Sequence, residues 1–295
     1  MREIELKDKE YPDNLKIIPN SPKKLYVEGN LENLKSMCIA VIGSRVCTKY
    51  GEEWCEKFVK KLVKHNITIV SGMAVGIDTI AHKSAIKHGG RTIAVLPSGL
   101  DNIFPRENKN LYKKILNSNG TIITEYSPNT FADSKKFLER NRIVSGLSKG
   151  VLVVEAAYRS GTSVTARIAI LQNRDVFCIP GSLNNPKSIG TNNLIKEFAK
   201  LVTEPEDILL KYDLINKEII KEKVLKDKEK TECLINIPKE LFDVYNAIEN
   251  KPTEVYDIVR KSKLSLKEVM SKLTLLELDG KIKKISGNRY IKKKE

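Results

Sequence analysis

Long apolar runs are missing from this chain. No stretch approaches the ~18 consecutive apolar residues that cross a bilayer, and the opening MREIELKDKE is charged where a secretory signal would be apolar. Together with the scattered cysteines, both observations lead us to expect a cytoplasmic protein with no membrane span. Cysteine is scarce: Cys38, Cys47, Cys55, Cys178 and Cys233 are odd in number and scattered, with no C-x-x-C pair. That pattern excludes a disulfide framework and a C-x-x-C zinc site, and suits reduced thiols. Three histidines leave little material for metal chemistry, so neither metal nor cofactor is expected. Two nucleotide signatures are also lacking. There is no G-x-x-x-x-G-K-[ST] and no G-x-G-x-x-G after the first apolar strand, which removes support for ATP hydrolysis and for dinucleotide binding.

What is present is positive charge on a foldable chain. The 295 residues are 41% hydrophobic, enough for a large domain plus a small one, and the formal net charge is +15. An excess of that size fits a polyanionic partner, nucleic acid first. A lysine-rich proteome would give the same composition.

From residue 38 apolar strands alternate with amphipathic helices. Strands are expected at 38–44, 68–72, 91–99, 121–126, 150–156, 175–181 and 200–203. Between the first two, Trp54, Phe58, Val59, Leu62 and Val63 recur at helical spacing. Strands this apolar, regularly separated by helices, indicate a parallel sheet covered on both faces. The predicted fold is α/β: an extended Rossmann-like, doubly wound parallel sheet followed by a small winged-helix domain. Residues 1–37 form an N-terminal entry segment, 38–214 the sheet domain, 215–236 a lysine- and glutamate-rich linker, and 237–295 the winged helix. In that last unit Ser265 and Glu268 form a capping box, and GKIKKISGNRYIKK alternates around SGN as a hairpin does. No acid interrupts residues 281–294, so the unit reads equally as a DNA-binding or a protein-binding module.

In a doubly wound sheet, ligands bind at the carboxyl ends of the strands. Small-residue turns stand there: GSR after the first strand, SGMAVGID after the second, PSGLD after the third and RSGT after the fifth. Glycine permits close backbone approach, helix N-termini favour negative charge, and arginines grip phosphate. Arg45, Arg140 and Arg142 therefore mark a phosphate-binding crest. Phe137 beside Arg140, Asn141 and Arg142 offers a base a face to stack on, or else packs in the core. His82 is read as a packing or capping residue and Asp78 as a cap. Glu155, at the end of an apolar strand, is either a general base or a holder for Arg140 or Arg142.

The ordered motifs VIGSR…YG, IVSGMAVGIDTIAH, GGRTIAVLPSGLDNIFPRENKNL, FLERNRIVSGLSKGVLVVEA, SGTSVTARIA and VFCIPGSLNNPKSIGTNNLI closely resemble the DprA/Smf family of DNA-processing proteins. The resemblance covers nearly the whole chain. It implies a non-enzymatic mediator of natural transformation and recombination that binds and protects single-stranded DNA, forms a homodimer and loads RecA recombinase. By motif position it implies DNA contacts from Ser44 and Arg45, from Phe137, Arg140, Asn141 and Arg142, and from Ser160, Gly161 and Thr162. Val75 stands where many members carry Lys or Arg, and Leu138 where many carry Pro. Two other readings remain: a nucleotide phosphoribohydrolase of the LOG type, with Glu155 as its carboxylate, and a regulator that binds DNA through the winged helix.

Overall fold

The computed structural model describes residues 1–215, 237–249, 252–285 and 287–293. The linker expected over 215–236 lies, from residue 216 on, outside the described residues, as does Cys233. The chain divides into two compact units, Met1–Asn216 and Lys217–Glu295.

Apolar alternation builds the first unit. In β3 (Cys38–Ile42), Cys38, Ala40 and Ile42 pack into one helical layer while Ile39 and Val41 pack into the other. The period of two in a wholly buried strand forces helices onto both faces. β4 (Thr68–Ser71), β5 (Thr92–Val95), β6 (Thr121–Thr124), β7 (Gly150–Val153), β8 (Asp175–Cys178) and β9 (Lys200–Leu201) continue the parallel core. One layer contains α5 (Ser134–Leu147), α6 (Gly161–Leu171) and α7 (Ile189–Glu197), through Ile143, Val144, Ala166, Ala169 and Leu194. The other contains α2 (Lys49–Lys64), α3 (Ile77–Lys87) and α8 (Glu206–Lys211), through Phe58, Val59, Leu62, Ala81 and Leu209. Among the described residues of this unit two further helices complete the cover: α1 (Asp13–Lys16) packs on α5, and α4 (Lys109–Asn117) packs on β6 and α3.

The sheet is larger than the sequence reading expects. The entry segment adds β1 (Arg2–Glu5) and β2 (Lys24–Gly29), both antiparallel, outside β6. Among the described residues it is a nine-stranded sheet in the order β1-β2-β6-β5-β4-β3-β7-β8-β9. Leu25 and Val27 are fully buried on one face while Tyr26 and Glu28 are only half-buried on the other, an alternation too short to stand out among Pro12, Pro19 and Pro22. The order also sets the site. From β3 the chain winds outward to β6, and α5 then carries it back across to β7 on the other side of β3. The carboxyl ends of β3 and β7 therefore flank the topological switch point, where such sheets leave a crevice.

The second unit contains α9 (Phe242–Ala247), α10 (Val255–Ser262), α11 (Leu266–Leu278) and a three-stranded sheet of β10 (Thr253–Glu254), β12 (Arg289–Lys292) and β11 (Ile282–Ile285). Three helices and this ribbon make a winged helix. The capping box is present: Ser265 Oγ accepts the Glu268 N–H, and Glu268 accepts the Ser265 N–H at 2.9 Å. Asn288 and Gly287 take positive φ in the hairpin, as Asn and Gly readily do. Leu266, Met270, Leu275 and Leu278 are all exposed on α11, and Lys283 and Lys284 are exposed on the wing.

Candidate nucleic-acid interface

At the switch point lies a cleft of about 260 Å³, walled by Gly43, Ser44 and Arg45 after β3, Phe137 and Asn141 on α5, and Ser160–Thr162 at the start of α6. Ser160 caps α6: its Oγ accepts the Ser163 N–H at 3.4 Å. The Thr162 hydroxyl donates to Gly43 O at 3.0 Å and ties the helix start to the β3 turn. The N–H groups of Gly161 and Thr162, in the first turn, have no intrahelical acceptor, and the helix dipole adds partial positive charge there. Ser44 Oγ donates to Val46 O at 2.8 Å and lies 3.4 Å from Lys187 Nζ, so the hydroxyl shapes the turn and a lysine stands beside it. Arg45 is exposed, with its guanidinium 4.9 Å from the centre of the Phe137 ring.

The R-N-R stretch does not act as one cluster. Successive helical residues point about 100° apart, so residues i and i+2 face different neighbours. Asn141 faces the cleft. Arg140 is 4% exposed and donates Nη1 to the carbonyls of Gly72 and Val95, at the ends of β4 and β5. Burial pulls its pKa down to about 10, and the nearby Asp78 carboxylate pulls the other way, so it stays charged at neutral pH. Arg142 lies half-buried on another side of the helix and pairs with Glu125 after β6. The structure thus brings Ser44, Arg45, Phe137, Asn141, Ser160, Gly161 and Thr162 together and leaves Arg140 and Arg142 out. In place of the phosphate grip expected of those two, the structure has one satisfying strand-end carbonyls and the other a half-buried carboxylate.

Three other polar residues prove to be internal braces. Asp78 Oδ2 accepts the N–H groups of Gly72 and Ala74, at 3.1 and 3.4 Å, and shapes the turn after β4. Burial raises its pKa, and the Arg140 charge opposes that rise. His82 is fully buried with Nδ1 2.7 Å from Thr92 Oγ1, and burial pushes its pKa down to about 3, so it is neutral. Glu155 is 1% exposed; Oε2 accepts the Thr48 N–H at 2.9 Å and Oε1 the Thr48 hydroxyl, at the start of α2. A side chain at residue 51 would collide with this carboxylate, which is why a glycine follows Tyr50. We expect Glu155→Gln to cost ~2 kcal/mol, because a neutral amide with one acceptor oxygen replaces a buried carboxylate that accepts both the Thr48 N–H and the Thr48 hydroxyl. Thermal melting measures this; an unchanged midpoint would refute the brace.

Residues that the sequence reading did not single out stand at the same place. Lys187 is one. The others are Phe104 and Arg106, which with Arg45 and Phe137 line an adjoining hollow. Their signal was available in IFPREN, an aromatic and an arginine in the loop that follows β5.

The four described cysteines are free, no described helix is long and apolar enough to cross a membrane, and the described residues hold no group of three or more metal-ligating side chains. Comparison with known proteins agrees with this architecture. A family model described as DNA recombination-mediator protein A matches residues 2–213, and a DprA winged-helix model matches residues 239–288. Protein Smf of Escherichia coli is 40% identical over 94% of this chain and 74% of its own length. The X-ray structure of DNA processing protein A from Streptococcus pneumoniae aligns with a TM-score of 0.68 at 43% identity, over 71% of this chain and 73% of that one. A structure of DNA processing protein A from Helicobacter pylori, titled for its single-stranded DNA binding mode, aligns with a TM-score of 0.65 at 32% identity, over 72% of this chain and 96% of that one. With its sheet unit matched almost end to end and its winged helix matched separately, the chain belongs to the DNA recombination-mediator protein A family, DprA/Smf.

Proposed function

We propose that the cleft binds single-stranded DNA without reading its sequence, and that the protein serves as a recombination mediator and carries out no catalytic step of its own. The observation that supports this most is the convergence at one switch-point cleft of an exposed arginine, an aromatic ring and unpaired N–H groups at a helix start. Those are a phosphate grip, an aromatic wall that holds it in place and an anion cradle, parts that hold a single strand by its backbone. The single-strand binding named for the Helicobacter pylori relative is consistent with it. In this reading Ser44 and Thr162 shape the cleft, Arg45 and the Gly161 and Thr162 amides take phosphate, and Asn141 faces the strand. Family membership extends the reading to a homodimer and to transfer of the bound strand to RecA recombinase, as in natural transformation. The sheet unit is the DNA-binding domain; the winged helix, with exposed apolar residues on α11, is an accessory module.

The test is fluorescence anisotropy with oligo-dT and with duplex of equal length, across a range of salt. A single-strand preference that weakens steeply with salt is the expected result; equal binding of duplex would move the activity to the winged helix. Gly161→Glu gives a second check. A Cβ at residue 161 meets nothing within 4 Å, and an acid in the first helical turn suits the dipole, so the variant should melt at or slightly above the wild-type temperature. Its single-strand affinity should drop about tenfold or more, from repulsion of a phosphate a few Å away. Undiminished affinity would take the strand away from α6.

The phosphoribohydrolase reading needs Glu155 to meet a substrate. Its carboxylate instead accepts from Thr48 inside the fold. Release of free base from AMP by the wild-type protein would revive that reading.

A further inference from the structure

The cleft is not the whole binding surface. Next to it lies a hollow of about 310 Å³ lined by Arg45, Ala74, Val75, Phe104, Pro105, Arg106, Glu107 and Phe137, so Arg45 and Phe137 belong to both. The aromatic residue a base would be expected to stack on, Phe137, is already engaged. The Arg45 guanidinium sits over its ring, and the rings of Phe104 and Phe137 meet in a T-shaped contact with centroids 5.4 Å apart. Phe104 is 42% exposed and opens onto the hollow. Arg106, two residues on, is exposed on the same hollow, where Val75 contributes only apolar wall. Glu107 lines it as well and repels phosphate from its own position, which leaves the two arginines as the anion contacts.

We infer that this hollow is a separate nucleotide subsite, in which a base of the single strand stacks on Phe104 and an adjoining backbone phosphate is held by Arg106. The inference rests on the single-strand reading of the cleft and names what that reading lacks, the residue that meets a base. Phe137 then acts as a positioning residue: its ring holds Arg45 on one side and Phe104 on the other, so that the strand meets Phe104, Arg45 and the start of α6 as one continuous surface. Stacking is indifferent to base identity, which suits binding without sequence preference.

The experiment compares wild type with Phe104→Ala, Phe104→Trp and Arg106→Ala, each confirmed folded by melting. The probes are oligo-dT and an abasic oligomer of the same length, which keeps the phosphates and lacks the bases. Phe104→Ala should bind oligo-dT about tenfold more weakly while binding the abasic oligomer as wild type does. Phe104→Trp should restore oligo-dT binding, and its added indole fluorescence should be quenched by oligo-dT and not by the abasic oligomer. Arg106→Ala should weaken both oligomers alike and reduce the salt slope by about 0.7 for one lost phosphate contact. If Phe104→Ala binds oligo-dT as tightly as wild type, or loses both oligomers equally, no base stacks there and the subsite is overturned while the cleft stands. If wild type binds neither oligomer, the cleft reading falls and the subsite with it.

Discussion

Arg45→Ala lowers the affinity for oligo-dT by roughly 10- to 100-fold, the range expected when a charge-assisted contact worth ~1.5–3 kcal/mol is removed. The effect should be large because Arg45 is shared. It lines both the cleft and the adjoining hollow, so a strand crossing from one to the other passes it. Its guanidinium is exposed and makes a ring contact with Phe137, so the side chain is held over the opening before any ligand arrives. Ordering it costs little on binding, which is the advantage of a pre-set arginine over a free lysine. Loss should be nearly equal for oligo-dT, oligo-dA and mixed sequence, because phosphates carry no sequence information. The salt slope should fall by about 0.7. Stability should hardly change, since an exposed cation–π contact is worth only ~0.5–1 kcal/mol. Anisotropy titrations at three salt concentrations decide it. An unchanged affinity would mean that the strand does not enter the switch-point cleft at all.

How far this site was legible in the sequence depends on which kind of fact is asked for. The layers around β3 follow from alternation alone, because Cys38, Ala40 and Ile42 must face away from Ile39 and Val41 in any strand. The Ser265–Glu268 cap and the SGN hairpin are local chemistry and were readable for that reason. The antiparallel edge of β1 and β2 was not readable: its pairing partner, β6, is remote in sequence, and the strand signal is only two buried residues, Leu25 and Val27. The three turns that meet at the cleft could be assigned to one crest from the topology rule. Where each side chain points could not, because direction depends on how a helix is rotated against the sheet. Even so, the periodicity of α5 contained a warning. Arg140, Asn141 and Arg142 fan out over about 200° of helix, so at most one could look into the cleft. Phe104 was hidden by a different cause. A loop aromatic has no periodicity to announce whether it packs or faces water, and only the structure distinguishes it from Phe137.

Arg140 is the residue whose replacement should damage the fold most. Arg140→Ala is expected to cost ~3–5 kcal/mol, because each buried acceptor left unmatched costs ~1–3 kcal/mol and two carbonyls and a nearby buried carboxylate are affected at once. Three groups lose their match at once: the carbonyls of Gly72 and Val95, and the Asp78 carboxylate, whose raised pKa the Arg140 charge opposes. Gly72 belongs to the same arrangement, since any side chain there would fall on the guanidinium. The pH dependence has a definite sign. Without Arg140 the folded-state pKa of Asp78 rises further above its unfolded value, so the variant gains protons on folding and loses stability as pH rises. The gap between variant and wild type should therefore narrow from neutral to acidic pH. Urea melts at a neutral and an acidic pH measure it. Single-strand binding distinguishes a brace from a contact: below its melting range, the folded fraction of Arg140→Ala should keep the wild-type salt slope, whereas Arg45→Ala should not. A variant that melts like wild type and has lost one phosphate's worth of salt slope would return Arg140 to the DNA interface and make the R-N-R stretch a direct grip after all.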